Sequence, residues 1–338
     1  MALVAGVTAL AAAIGLSILL LGLQRVFASA PTLWDSNDRD ITDTSLSVVI
    51  PAFDEEQNIE GCLTHVLMSE RPCSRWDVIV VDDQSSDNTV KIAEQAIVTV
   101  AGADQPGATV LQAGPRPKGE RWVGKNWGCC QAMEQVNSEW VLFIDADVTL
   151  APDAIRRALH QSINENADLF SLAPRLTCGC LAEWMVQPIM ASLLGLGFPI
   201  LEANDPASTV AFAAGPFMLF RRDSYNAIGG HRALAGEVVE DLALARRIKE
   251  GGFRLRYVLG IDAVDLQMYA NLQALWEGWS KNWFLGLDRS ISKSLGAGGV
   301  VLLMFTLPWL LLPASLTMAC LSSQDQIFWL SDAGLGLI

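Results

Sequence analysis

The hydrophobic positions of this chain fall into distinct regimes. Near its two ends, Ala2–Leu23 and Gly299–Leu321 run without a charged residue. Each reaches the roughly 20 apolar residues that a helix needs to cross a bilayer core. Between them, from Leu46 to about Ser290, strand-like and helix-like segments alternate: "LSVVIPAF", "EEQNIEGCLTHVLM", "DVIVVDDQS", "DNTVKIAEQA", "ATVLQAG", "NWGCCQAMEQV" and "EWVLFIDAD". That order predicts an α/β domain with a mostly parallel sheet and helices on both faces, binding ligands beyond the carboxyl ends of its strands. No repeat and no low-complexity linker interrupts the alternation, so a single domain is expected over residues 45–290.

Composition turns the terminal runs into membrane candidates. The 338 residues are 51% apolar and only 18% charged, too apolar for an ordinary soluble enzyme. Residues 1–24 lack the basic start of a secretory signal, and Arg25 follows the apolar run, which favours a retained anchor. A C-terminal membrane region is expected over 297–338. Arg25 and Arg39 follow the first run, while Lys281, Arg289 and Lys293 precede the second. By the positive-inside rule this is a multi-pass protein of the cytoplasmic membrane, with its N-terminus outside and its middle facing the cytoplasm. Beyond the last run, "SSQDQ" has no Lys or Arg, and "IFWLSDAGLGLI" is too short to cross again. It re-enters the membrane, or the sequence is a fragment.

Charge and cysteine content remove other classes. A net charge of −14 argues against nucleic acid as a partner. The seven cysteines, Cys62, Cys73, Cys129, Cys130, Cys178, Cys180 and Cys320, are odd in number and form no C-x-x-C pair, as expected of reduced cytosolic thiols. "TCGC" lacks the second pair or nearby His that a zinc site needs.

The strand ends carry the chemistry. "PAFDEE", "VDDQSSD" and "DAD" bring acids to one rim of the sheet. No G-x-G-x-x-G follows the first strand, neither "GPRPKGE" nor "RWVGKNW" makes a P-loop, and "GAGG" opens a membrane run. Asp145 and Asp147 stand at i and i+2 of an extended segment, so they point the same way at a like-charge cost. One reading is that they cap the loop and the helix suggested by "APDAIRRALHQSI". The other is that they hold a cation. An acid-rimmed sheet without glycine cradles needs one to retain phosphates, and carboxylates suit Mg²⁺ or Mn²⁺.

Over Leu46–Arg289 the chain resembles the family 2 glycosyltransferases. "SVVIPAFDEEQNI" is similar to their opening strand and nucleotide loop, with Phe53 for the usual tyrosine and Asp54 for the usual asparagine. "VVDDQSSDNT" resembles V-D-D-G-S-x-D-x-T, with Gln84 in place of the glycine. "GKNWG", "DAD", "AAGPFMLFRRDSYNAIGGH" and "GEVVEDLALARRIKEGG" follow in the family's order. The resemblance implies a GT-A nucleotide-diphospho-sugar transferase fold, flanked here by N- and C-terminal transmembrane helices. It implies that Pro51, Phe53 and Glu55 wall the uracil and ribose pocket and that Asp82 sits on the uracil edge. Lys125 would lie near the diphosphate, Asp147 would be the direct metal ligand, and Asp145 would lie nearer the ribose or donor sugar. Gly215 would line the sugar pocket at a turn where backbone approaches a ligand closely. Asp241, beside Glu240 at a helix start, would be the general base, since displacement at an anomeric carbon needs a carboxylate to take the acceptor's proton. The bland alternative for Glu240 and Asp241 is two acids favouring a helix N-terminus.

Two features point to the acceptor. The processive members' Q-x-x-R-W is absent, which predicts single additions. In its place "LWEGWSKNWFLG" carries Trp276, Trp279, Lys281 and Trp283, and it resembles the segment of members that glycosylate carotenoids and related lipids. These residues meet the acceptor or the diphosphate, or they form an interfacial belt before the membrane run. The uncharged stretch Trp184–Leu201 is long enough to span, but a crossing there would separate Asp145 from Asp241 across the bilayer. It is expected to lie in the membrane surface, broken at Pro188 and Pro199, or to be a buried helix. The expected activity is transfer of one hexose, glucose first, from a UDP-sugar to an isoprenoid lipid such as a carotenoid, inverting and metal-dependent. Hopanoid, glycerolipid or polyprenyl phosphate acceptors, or a non-catalytic nucleotide-sugar-binding subunit, are the alternatives.

Overall fold

The computed structural model describes residues 2–35, 42–102, 105–287 and 289–311, with Pro313 and Thr317. Arg39, Cys320 and the C-terminal region past Thr317, including "SSQDQ" and the tail after it, lie outside the described residues.

In chain order the elements are α1 (Ala2–Ser29), β1 (Thr42–Ala52), α2 (Ile59–Leu67), β2 (Cys73–Asp82), α3 (Thr89–Val100), β3 (Gly107–Gln112), α4 (Gly124–Met133) and β4 (Trp140–Ile144). There follow β5 (Val148–Leu150), α5 (Ala154–Asn164), β6 (Leu169–Ala173), β7 (Arg175–Leu176), α6 (Leu181–Gly197), α7 (Ile200–Asn204), β8 (Phe217–Arg221) and α8 (Arg222–Ala227). A 3₁₀ turn, His231–Leu234, leads to α9 (Glu240–Glu250), β9 (Leu255–Leu259), β10 (Val264–Leu266), α10 (Leu272–Gly286) and α11 (Ile291–Val301). The chain divides into two units, one of residues 1–29, 184–197 and 276–338, the other of 30–183 and 198–275.

The larger unit is built on a seven-stranded sheet of order β3-β2-β1-β4-β8-β6-β9, parallel except for β8. Alternation along the strands divides its core between two faces. Val48, Ile50, Val78, Val80, Leu142 and Ile144 pack with α2, α3 and α5 on one side. Val49, Ile79, Val81, Val141 and Phe143 pack on the other with Trp127 of α4 and Leu244 and Ile248 of α9. The connection order reverses between β1 and β4, the switch point at which open α/β sheets bind ligands. Pro51 fits a central strand here because the β1–β4 ladder stops at Val49–Phe143, so its missing N–H costs no bond to β4. The sheet therefore opens between the carboxyl ends of β1 and β4.

The smaller unit contains two helices long and apolar enough to cross a membrane, Gly6–Ser29 and Ile291–Leu311, with mean hydropathies of 2.2 and 1.8. The second begins before Gly299, the start read from the charge-free run, because Ser290 caps it by accepting the Lys293 N–H. In α6 the expected break at Pro188 is absent: the helix runs through it to Gly197, and the interruption comes at Phe198–Pro199. Inside this unit Trp279 Nε1 donates to Gln187 Oε1 at 3.0 Å.

Candidate functional site

Three strand ends and one helix start enclose a cavity of about 280 Å³ in the larger unit. Pro51, Phe53 and Glu55 come from the end of β1, Val81 and Asp83 from β2, Asp145 and Asp147 from β4, and Gly124, Lys125 and Gly128 from the first turns of α4. Six residues singled out in the sequence, Pro51, Phe53, Glu55, Lys125, Asp145 and Asp147, thus share one site.

The loops after β1 and β2 are tied to each other. Asp54 N–H donates to Ser85 Oγ, and Asp54 Oδ1 accepts the Ser86 N–H at 2.7 Å. Glu56 N–H donates to Asp87 Oδ2, while Glu56 Oε2 accepts the Asn88 N–H. Glu55 N–H donates to Thr89 Oγ1 at 2.7 Å. These reciprocal bonds hold exposed Phe53 at the mouth and Glu55 inside it. Burial raises the Glu55 carboxyl above its ordinary range, against the lowering effect of its bond from Asn58.

Alternation separates the two acids after β2. Asp82 follows the parity of Val78 and Val80, and its buried carboxylate turns to its own loop, accepting the N–H groups of Gln84 at 3.1 Å and Ser85 at 3.2 Å. Asp83 follows Ile79 and Val81 and lines the cavity. One Asp83 oxygen is bound by Arg116, while Oδ1 is buried without a hydrogen-bond partner. A Cβ at position 124 would run into Asp83 Oδ2, so any other residue there would have to displace that carboxylate. Asp83, Arg116 and Gly124 were not singled out from the sequence; the strand parity of "VIVVDD" separates Asp83 from Asp82 without saying which of the two faces the cavity.

The acids after β4 lie in a turn instead of an extended segment, since β4 ends at Ile144. Both still face the cavity. Lys125 Nζ bridges Asp145 Oδ1 at 2.5 Å and Glu240 Oε1 at 2.6 Å. Burial alone would lower the Lys125 pKa, but these two carboxylates hold it well above its ordinary value. Asp147 has no such partner. Burial, then the charges of Asp145 and Glu55, push its carboxyl up to about 7, and its Oδ1 is buried without a hydrogen-bond partner.

Such a carboxylate suits a bound cation, and oxygen donors suit Mg²⁺ or Mn²⁺. Among the described residues, no group of three or more His, Cys, Asp or Glu side chains is arranged to hold a metal ion. An ion here would complete its shell with ligand or water oxygens, as Mg²⁺ does in phosphate sites.

Glu240 and Asp241 open α9. Asp241 Oδ1 accepts the Leu242 N–H at 2.7 Å, and Oδ2 accepts the Gly215 N–H at 3.2 Å. Asp241 Oδ2 also lies 3.2 Å from where a Cβ at 215 would be, so a side chain there would crowd this carboxylate. Burial and then Glu240 raise the Asp241 carboxyl to about 7, against the lowering effect of Lys125. Trp276, Trp279, Lys281 and Trp283 lie on α10 in the smaller unit, where Trp276 is exposed.

Comparison with known proteins places this geometry among relatives. The family model for glycosyl transferase family 2 matches residues 47–229. A 4,4'-diaponeurosporenoate glycosyltransferase of Staphylococcus aureus is 28% identical over 264 residues, 77% of this chain and 66% of the relative. The match thus spans just under two thirds of that relative's length. A mannosyltransferase from Pyrobaculum calidifontis, solved in complex with GDP-Man and Mn²⁺, superposes with a TM-score of 0.58 at 18% identity, covering 99% of this chain and 92% of that one.

Proposed function

The chain belongs to glycosyl transferase family 2, and from that premise we propose that it transfers a single hexose, glucose first, from a UDP-sugar to a hydrophobic lipid acceptor such as a carotenoid. The observation that carries the catalytic part is the pair formed by Asp241 and the Asp145–Lys125–Glu240 bridge beside it. It sets an enclosed carboxylate, with its pKa raised toward neutrality, on the same helix end as the bridge that reaches the nucleotide cavity. The acceptor class is supported by the S. aureus relative and by the two apolar helices.

Each residue has a role in this reading. Phe53 stacks on the base at the mouth of the cavity, and the unpartnered Asp83 Oδ1 accepts an N–H from the edge of the ring. That task passes to Asp83 because Asp82 is occupied with its own loop. Asp147, with Asp145, would hold Mg²⁺ or Mn²⁺. Such an ion, when bound, neutralises the charge that develops on a departing diphosphate. Lys125 keeps Asp145 and Glu240 from repelling each other and adds positive charge to the same wall. Asp241 takes the proton of the acceptor hydroxyl as its oxygen attacks the anomeric carbon from the face opposite the leaving UDP, which inverts that carbon.

The two apolar helices would anchor the protein in the cytoplasmic membrane with its larger unit in the cytoplasm. Exposed Trp276 on α10, and exposed Trp184 and Met185 on α6, suit the headgroup level at which an apolar acceptor would be met.

The test is UDP release from UDP-glucose in the presence of bacterial lipid extracts. Asp241→Asn keeps the size of the side chain and its bond from Gly215 but loses the base, so turnover should fall by roughly 10²–10⁴-fold with folding unchanged. Equal, slow release by wild type and variant with every lipid tried would remove the enzymatic reading and leave a nucleotide-sugar-binding subunit.

A further inference from the structure

Helix α9 grips the segment before β8 at both of its ends. At its first turn, Asp241 accepts the Gly215 N–H. At its last turn, the Lys249 ammonium donates to four backbone carbonyl oxygens: Val210 at 2.6 Å, Asp205 at 2.8 Å, Ala203 at 3.2 Å and Glu202 at 3.3 Å. Glu202 and Ala203 belong to the end of α7; the Glu202 oxygen also accepts the Asp205 N–H and the Asp205 oxygen the Ser208 N–H, each at 3.1 Å, so the ammonium shares those two acceptors. Asp205 and Val210 belong to the loop that follows. Asn204 secures the far side of the same turn, donating to Tyr257 O and accepting the Tyr257 N–H. The loop then runs through buried Ala211, Ala213 and Ala214, with Ala214 N–H on Ser171 Oγ, and reaches Gly215.

Four carbonyl oxygens converging on one cation is how proteins hold monovalent ions, the carbonyl dipoles replacing a hydration shell. An ammonium has three N–H donors for those four acceptors, so charge and directionless attraction complete the set. We propose that Lys249 is a positioning residue whose ammonium serves as a built-in monovalent cation, fixing the 205–215 segment along the base helix, and that without this side chain the carbonyl ring is a site for K⁺ or a small alkylammonium ion. The proposal rests on the glycosyltransferase reading for its kinetic consequence alone; the ring itself does not depend on it.

The kinetic consequence follows from where the segment ends. Gly215 orients one oxygen of Asp241, whereas none of the residues that line the cavity belongs to this loop. Loosening the loop should therefore disturb the base and spare the donor. In buffers containing choline as the cation, Lys249→Ala should lose about tenfold or more in kcat with the donor KM little changed. Titrating K⁺ or methylammonium at constant ionic strength should restore kcat along a saturating curve, and should raise the thermal midpoint of Lys249→Ala along the same curve. Wild type should respond to neither ion. Lys249→Met, which keeps the apolar stem and fills the ring without charge, should lose kcat and gain nothing from K⁺.

Full activity of Lys249→Ala in choline, rescue of Lys249→Met as strong as that of Lys249→Ala, or no saturable effect of K⁺ on either readout would overturn the proposal. Should Lys249→Ala fail to fold in choline, refolding yield against K⁺ becomes the readout, with the same outcomes. If wild type turns over no donor, the glycosyltransferase reading fails, and the K⁺-dependent thermal midpoint of Lys249→Ala still decides the ring.

Discussion

At the scale of single residues, two departures from the family pattern fall where the backbone is least tolerant. Asp54 and Gln84 have φ of 53° and 64°, the left-handed region that favours glycine and, after it, asparagine. The usual family residues there, asparagine and glycine, suit that geometry better. The Gln84 backbone N–H is held by Asp82, a bond glycine would keep, while the side chain adds an exposed one, Nε2 to Gly114 O at 3.3 Å. Relief of roughly 1–2 kcal/mol of left-handed strain against about 0.5–1 kcal/mol of added chain entropy predicts that Gln84→Gly stabilises by about 0.5–1 kcal/mol. A shift of the urea midpoint at constant slope would show it, and a lower midpoint would refute it. Asp241 gives a second prediction at this scale. It acts as a base only when ionised, and burial with Glu240 beside it raises its carboxyl to about 7. The acid limb of kcat/KM, which reports the free enzyme, should therefore rise with pH through about 7, well above the ordinary aspartate range. A limb centred near 4 would mean that the group responsible is another one.

At the scale of elements, the site depends on an ion bridge that joins the end of β4, the start of α4 and the start of α9 through Asp145, Lys125 and Glu240. Lys125→Met leaves two largely enclosed carboxylates facing each other without a counter-charge. That should cost roughly 2–3 kcal/mol, toward the low side of what breaking a buried pair costs because the bridge is partly solvated. Adding Glu240→Gln removes the repulsion, so the double variant should recover about 1 kcal/mol or more relative to additivity. Additive single effects within about 0.5 kcal/mol would show that the three elements are held by packing alone. The rim of acids was legible because strand ends are marked by a change from apolar runs to Asp and Glu, as in "VLFIDAD" and "VIVVDD". Which acid of "VDD" faces the cavity was not, because that depends on which face of the sheet α4 covers, a tertiary fact that parity alone does not supply. Arg116 was hidden for a similar reason: it sits in the loop after β3, where no periodicity applies, and it reaches Asp83 only once β2 and β3 are paired. Pro188 was misread because the missing N–H and ring clash cost one turn of hydrogen bonding, which an otherwise long helix tolerates.

At the scale of the whole molecule, orientation in a membrane rests on few charges. Only basic residues within about 15–20 positions of a span count, and long intervening domains translocate largely regardless of their charge. The relevant residues are Arg25 near the C-terminal end of the first apolar helix, Arg39 shortly after it, and Lys281, Arg289 and Lys293 before or at the start of the second. All lie on the central side, and the net charge of −14 does not enter, because Asp and Glu contribute little to this bias. The segment between the two helices should therefore be cytoplasmic. Trypsin added to right-side-out vesicles should leave the larger unit intact, while inverted vesicles should yield its fragments, since its Lys and Arg side chains are then exposed to the protease. Replacing Arg25, Arg39, Lys281, Arg289 and Lys293 by Gln in the full chain should produce a mixed population cleaved from both sides, because the basic residues that bias insertion on the central side are then gone. Digestion of the wild-type middle in right-side-out vesicles would reverse the topology and put the acid-rimmed cavity on the outer face. Release of the protein from the membrane at alkaline pH would instead mean that neither helix crosses.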